Sequence, residues 1–366
     1  MDQERLSFIA LHRIPGIGDF LVKQLVSYCG SAEAVFKTPP AKLMKIPGVG
    51  ELSVTAIRTC NTFAEAEKEL RKAEKEEVDL VVYTDKRYPH RLKTIEDAPA
   101  LLYIKGNQNL NVAKTVGIVG TRQATEYGKD IVDKICQELV PHQALIISGL
   151  AYGIDIQAHK SALKHGLHTV GVMGSGMDVI YPAVHKDTAR KMMNQGALVT
   201  ENPFGTKPDA HNFPARNRII AGLSDALIVV EAAEKGGALI TADIANSYNK
   251  DVFAVPGNLN QTYSEGCNKL IKTNRANLLM SVKDLEYIMN WSAESAASPQ
   301  MSLDLTSYEP EEQTILRLLK DRNAPMLVDE LSFKSALPPS QLASLLLTLE
   351  LKNAVKALPG KMFALK

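Results

Sequence analysis

The chain has 366 residues, 45% of them hydrophobic and 23% charged, with a formal net charge of +1. That length suffices for two or three domains, and the near-neutral charge excludes a surface that is basic all over, so any anion site must be a local pocket. No apolar run approaches the roughly 18 residues of a membrane span. The N-terminus "MDQERLSFIALHRIPGIG" has no signal-peptide pattern, and Cys29, Cys60, Cys136 and Cys267 form no C-x-x-C pair. Neither a metal centre nor a disulfide framework is expected, and the expected location is cytoplasmic.

Residues 1–77 contain an internal repeat. "RIPGIGDFLVKQLV" and "KIPGVGELSVTAIR" align Ile14 with Ile46, Gly16 with Gly48, Gly18 with Gly50 and Leu25 with Ile57. Each P-G-hydrophobic-G lies between helical patterns and resembles a helix-hairpin-helix turn, whose glycines let a DNA phosphate approach backbone N–H groups. The same turns can serve only to shape a small helical domain. "FAEAEKELRKAEKEEVD" then reads as a charged connecting helix with a solvated face.

Residues 78–291 alternate short apolar runs with helical patterns. The runs are "LVVY", "LLYIKG", "VGIVG", "ALIISG", "TVGVMG", "ALVTE", "ALIVVEA", "DVFAVPG" and "NLLM". Such alternation predicts an α/β domain, an extended Rossmann-like parallel sheet with helices on both faces. Ligands bind such sheets at the carboxyl ends of the strands. Four of these ends carry polar, glycine-rich turns: Gly120-Thr121-Arg122, Ser148-Gly149, Gly174-Ser175-Gly176 and Gly236-Gly237-Ala238. Glycine admits an anion close to the backbone, and a following helix start offers unpaired N–H groups.

"FPARNRIIAG" adds Arg216, Asn217 and Arg218 near the start of a helix opened by Pro214. A cation is unfavourable at that end of a helix dipole unless an anion lies close by. A nucleic-acid phosphate is one such anion; an internal carboxylate, Glu201, Asp209 or Glu231, is the other. No G-x-x-x-x-G-K-[ST], full G-x-G-x-x-G or G-x-S-x-G is present, so no nucleotide cofactor and no catalytic residues are assigned. Asp155 and His159, four apart on one helix, read as a structural hydrogen bond ahead of an acid–base pair. Glu231 reads equally as a general base or as an ion-pair partner of Arg216 or Arg218.

Residues 292–304 form a Ser/Ala-rich linker. Residues 305–366 then give three amphipathic helices, the third over Ser340 to Leu351, and a two-stranded wing with its turn at Pro359-Gly360. This is a winged-helix pattern. Its net charge of −1, from 8 basic and 9 acidic residues over 292–366, favours protein contact over groove reading.

"GIVGTR", "ISGLAYGIDIQAH", "VMGSGMDVIYP", "FPARNRIIAGLSDALIVVEA", "GGALITADIA" and "VFAVPG" follow one another in the order seen in the DNA-processing protein A (DprA/Smf) family, which the chain resembles. The resemblance implies a domain that binds single-stranded DNA, a homodimer, and loading of the RecA recombinase during natural transformation. It also implies a DNA pocket lined by Gly120, Thr121 and Arg122, by Ser148 and Gly149, and by Arg216, Asn217 and Arg218. Two departures stand out. Gly236-Gly237-Ala238 replaces a usual Ser-Gly-Ser, so hydroxyl contacts are missing while N–H groups remain, and "KTNRANLL" lacks a usual Gly-Ala pair. The rival reading is an enzyme cleaving nucleotide N-glycosidic bonds with Arg122 and Glu231, although the proline-glycine-glycine and following G-T-x-x-E signature of that group is absent.

Overall fold

Each of the nine apolar runs contributes one strand, and all nine belong to one sheet. In the computed structural model, which describes residues 3–209, 212–291, 308–322, 325–335, 337–352, 354–358 and 362–365, the strands are β1 (Asp79–Val82), β2 (Leu101–Gly106), β3 (Thr115–Val119), β4 (Leu145–Gly149), β5 (Thr169–Val172), β6 (Gly196–Thr200), β7 (Ala226–Val229), β8 (Asp251–Ala254) and β9 (Asn277–Leu278). Their order is β1-β2-β6-β5-β4-β3-β7-β8-β9. From β6 to β9 every pairing is parallel, while β1 and β2 add an antiparallel edge. The chain builds outward from β3 to β6 and then returns to place β7 against the other side of β3. That reversal opens a crevice beyond the carboxyl end of β3.

Helices cover both faces, so the central strands are buried throughout and read as continuous Val, Ile and Leu runs. Alternate residues serve opposite cores. Leu145, Ile147, Leu227 and Val229 pack with Ile219 and Ile220 of helix Asn212–Leu223 and with Ala242 of helix Gly237–Ser247. Ile146 and Ile228 pack with Val132 of helix Glu126–Leu139 and Ala158 of helix Ile154–Lys164.

The two repeats at the N-terminus take the same turn. Gly16 has φ +83° and Gly48 φ +81°, a region closed to most side chains, so each copy needs glycine there. Leu21 of the first copy approaches Gly48 of the second, which joins the repeats into one helical body. This body and the sheet belong to one unit, Met1–Glu294; the other unit is Ser295–Lys366. The charged connecting helix, Phe63–Lys75, has its expected solvated face at Glu65, Lys68, Arg71, Glu74 and Lys75, with one exception. Its Glu69 is buried and accepts hydrogen bonds from Tyr103 Oη (2.8 Å), the Phe204 N–H (3.0 Å) and Arg13 Nη1 (3.3 Å). Three donors make a buried carboxylate tolerable, and they dock the helix on β2 and the loop after β6.

The second unit has helices Pro310–Arg322, Val328–Ser335 and Pro339–Leu351, with strands β10 (Met326–Leu327), β11 (Val355–Leu358) and β12 (Met362–Leu365). The wing pair is β11–β12, and the short β10 adds a third strand beside β12 that the two-stranded expectation omits. The expected linker 292–304 and the turn at Pro359-Gly360 lie outside the described residues.

His159 is fully buried. Its Nε2 donates to the Gly149 carbonyl (2.6 Å), and its Nδ1 lies 2.7 Å from the Thr169 hydroxyl. It does not pair with Asp155, so neither the expected hydrogen bond between the two nor the acid–base pair forms, and His159 instead ties helix Ile154–Lys164 to β4 and β5. Burial pushes its pKa down from 6.5 to about 4. Between those values the unfolded chain binds a proton that the folded chain refuses, so stability is complete above pH 6.5 and falls as the pH drops toward 4. The melting temperature should decline over that window, and His159→Gln should flatten the decline; equal slopes for the two proteins would contradict it.

Candidate nucleic-acid interface

The turn after β3 is fixed from two sides. The Thr121 N–H donates to the Glu231 carbonyl after β7 (2.7 Å), and the Ile154 N–H donates to the Thr121 carbonyl (3.1 Å). Gly153, with φ +76°, lets the segment after β4 pass beneath; a Cβ there would collide with the Thr121 and Arg122 backbone. The β3 turn is therefore wedged at the mouth of the crevice.

A cleft of about 760 Å³ occupies that mouth. Gly120, Thr121 and Arg122 line one side, Arg216 and Asn217 the floor, and Gly236, Gly237 and Ala238 the other side. Asp155 is the only carboxylate among the described lining residues, set against three cations, Arg122, Arg216 and Lys235. Gly236 caps helix Gly237–Ser247; the Leu239 N–H donates to the Gly236 carbonyl (3.1 Å), while those of Gly237 and Ala238 have no partner within the helix. The cleft thus combines excess positive charge with the positive end of a helix dipole.

The three arginines of the sequence reading have different situations. Arg122 is exposed, its guanidinium 5.4 Å from the centroid of the Phe213 ring, and no carboxylate lies within ion-pair distance of it among the described residues. Arg216 is 5% exposed; its Nη1 donates to the Val172 carbonyl (2.5 Å) and its Nε to Asn217 Oδ1 (3.2 Å). Burial pulls its pKa down, and the nearby Asp155 opposes that shift. Burial likewise raises the Asp155 pKa against the pull of Arg216. Arg218 does not line the cleft. It pairs with Glu201, donates to the Asp97 carbonyl (2.6 Å) and lies 3.8 Å from Asp19. For Arg218 the internal carboxylate is the answer, and the expected phosphate contact is corrected: the part-buried Glu201 already takes its charge.

Other expected residues also move. Ser148 is buried and its hydroxyl donates to the Ile118 carbonyl (2.6 Å), beneath the cleft. Gly149 is there because a Cβ would collide with both Arg216 and Asp155. Its contribution is the absence of a side chain between two charges, not a contact with an anion. Gly174 lines a small annex of about 50 Å³ with Tyr181, Phe213 and Arg122. Gly176 lies under the loop after β6, its N–H donating to the Thr206 carbonyl (3.0 Å), so it too is removed from the site.

Glu231 is neither a base in the cleft nor a partner of Arg216 or Arg218. Its carboxylate accepts from the Thr125 N–H (3.0 Å) and hydroxyl (2.6 Å) and so anchors the start of helix Glu126–Leu139. The sequence reading missed Lys235 and the aromatic wall of Phe213, Tyr181 and Tyr263. Lys235 directly precedes the paired glycines and Phe213 opens the arginine motif, so both had a local signal. Tyr181 stands in the "VMGSGMDVIYP" motif and had one too, whereas Tyr263 had none, because the segment after β8 brings it in.

Residues 79–290 match the family model of DNA recombination-mediator protein A, and residues 294–361 match that of the DprA winged helix domain. The chain belongs to the DNA-processing protein A (DprA/Smf) family. It is 41% identical over 209 residues to the DNA processing protein DprA of Bacillus subtilis, covering 57% of this chain and 70% of that one. It is 36% identical over 288 residues to the protein Smf of Synechocystis, covering 78% and 72%. Among solved structures, DprA from Streptococcus pneumoniae superposes with a TM-score of 0.69 at 32% identity, over 78% of this chain and 98% of that one. The DNA processing protein A of Helicobacter pylori, whose structure addresses its single-stranded DNA binding mode, gives 0.53 at 28% identity, over 59% and 97%. A role in DNA processing as a recombination mediator follows from this membership.

Arg122 and Arg218 sit in environments that predict opposite stability effects. Arg218→Ala leaves the part-buried Glu201 without its guanidinium and should cost roughly 1–3 kcal/mol, read as a lowered denaturation midpoint. Arg122→Ala should leave that midpoint unchanged. A stable Arg218→Ala protein would refute the clamp.

Proposed function

We propose that the protein binds single-stranded DNA through its phosphates in this cleft and loads the RecA recombinase onto it during natural transformation. The observation that carries the reading is the charge imbalance of the cleft, with the unpaired guanidinium of Arg122 at its mouth. Arg122 is placed to donate charge-assisted hydrogen bonds to a phosphate, and the N–H groups at Gly237 and Ala238 are placed to add to them. The aromatic wall offers faces on which bases stack without regard to sequence. The single-stranded DNA binding of the Helicobacter pylori relative supports the same ligand.

In this reading the protein acts as a homodimer in the cytoplasm, as the family resemblance implies, and binds without catalysing a reaction. The commitment of Glu231 to Thr125 supports a binding role over N-glycosidic hydrolysis, since it leaves the cleft without that general base. Asp155, the carboxylate that does line the cleft, is buried against Arg216.

Fluorescence anisotropy with an oligothymidylate tests the reading. Single strands should bind in preference to blunt duplex, and affinity should fall as salt rises. Arg122→Ala should weaken binding roughly ten- to a hundredfold, the equivalent of a charge-assisted contact of about 1.5–3 kcal/mol. Equal affinity for duplex, or an unaffected Arg122→Ala protein, would overturn it.

A further inference from the structure

The cleft does not end at the start of helix Gly237–Ser247. Beyond Gly236 and Gly237 lies a second open groove of about 520 Å³, which shares Lys235, both glycines and Ile240 with the cleft. Open space surrounds the position where a Gly237 Cβ would stand, so the ridge between the two hollows is bare backbone. Two further cations, Lys269 and Arg275, line the groove.

Those cations are not locked away. Lys269 pairs with Glu234 at 3.2 Å and Arg275 with Asp243, and all four side chains are about half exposed. Exposed pairs of this kind contribute about 0–1 kcal/mol, so a phosphate can exchange for the carboxylate at little cost. Lys235, on the shared ridge, is exposed and has no carboxylate partner among the described residues. Ile240, 46% exposed, gives the ridge an apolar patch against which a base can lie.

We propose that this groove is a second subsite for the same strand: single-stranded nucleic acid leaving the cleft crosses Gly236 and Gly237 and sets its next phosphates against Lys235, Lys269 and Arg275. The inference rests on the single-strand reading of the cleft. It adds a direction for the strand and a length dependence: a strand that fills only the cleft is blind to the groove, and a longer one is not. Glu234 and Asp243 enter as well, because each competes with phosphate for its cation.

The test is fluorescence anisotropy of the full chain with oligothymidylates of about four and about twenty nucleotides. Lys269→Glu combined with Arg275→Glu should weaken the longer oligomer about tenfold, the scale of one charge-assisted hydrogen bond, and leave the shorter one unchanged. The salt dependence for the longer oligomer should become shallower by about 0.7 for each phosphate that the variant no longer neutralises. Asp243→Asn, which frees Arg275, should tighten the longer oligomer only. Equal effects on both lengths, or no effect on either, would overturn the subsite while leaving the cleft reading intact. Failure of both oligomers to bind the wild-type protein would overturn the cleft reading, and the subsite with it.

Discussion

A guanidinium taken almost wholly out of water must be held by its surroundings, and the placing of Arg216 near Asp155, with Gly149 between them, is the constraint from which the rest of the site follows. Asp155 comes from the helix after β4 and Arg216 from the helix before β7, so their attraction ties together the two sides of the crevice. The Val172 carbonyl at the end of β5 accepts from Arg216 and supplies a third anchor. Gly149 leaves the space between the charges, and His159, through the Gly149 carbonyl, holds that glycine in place. Arg216 and Asp155 make no direct ion pair, so the buried guanidinium is compensated by the Val172 carbonyl, by Asn217 Oδ1 and by the Coulombic pull of Asp155. The floor of the cleft is thus buried and hydrogen-bonded, while Arg122 at its mouth is exposed and lacks a carboxylate partner among the described residues.

The same chemistry is used differently two residues further along the helix. Arg218 gathers Glu201, Asp97 and Asp19, which belong to the end of β6, the segment before β2 and the N-terminal helical body. Asp19 also accepts from the Ala100 N–H (2.9 Å), and its pKa is lowered: burial alone would raise it, and the bonds from His12 and Ala100 outweigh burial. One short motif therefore serves the cleft through Arg216 and the seam between helical body and sheet through Arg218. A helix turns by about 100° per residue, so side chains two apart project to opposite sides. That rotation separates the two roles.

Much of this was legible in the sequence. All nine strands of the large sheet stood out as apolar runs, the central ones because strands buried on both faces cannot alternate with polar residues. The glycine turns at Gly120 and Gly236-Gly237 marked both walls of the cleft. Illegible from one dimension was which glycines face a ligand and which merely leave room for a neighbour. Gly149 and Gly176 look like Gly120 in the sequence, yet tertiary contacts put them under the cleft and under a loop. Glu231 and Glu69 were misread for a related reason: a carboxylate buried with enough donors carries no sequence mark that separates it from a solvated or catalytic one.

The central claim is that an anionic strand is gripped by the turn after β3 and by the start of helix Gly237–Ser247. Amide hydrogen exchange with and without a saturating short oligothymidylate addresses it most directly. The account predicts slowed exchange at Arg122, Gly237 and Ala238, with little change in the hairpin turns at Gly16 and Gly48 or in the winged-helix unit. Protection confined to those hairpins or to that unit, with the cleft amides unchanged, would contradict it.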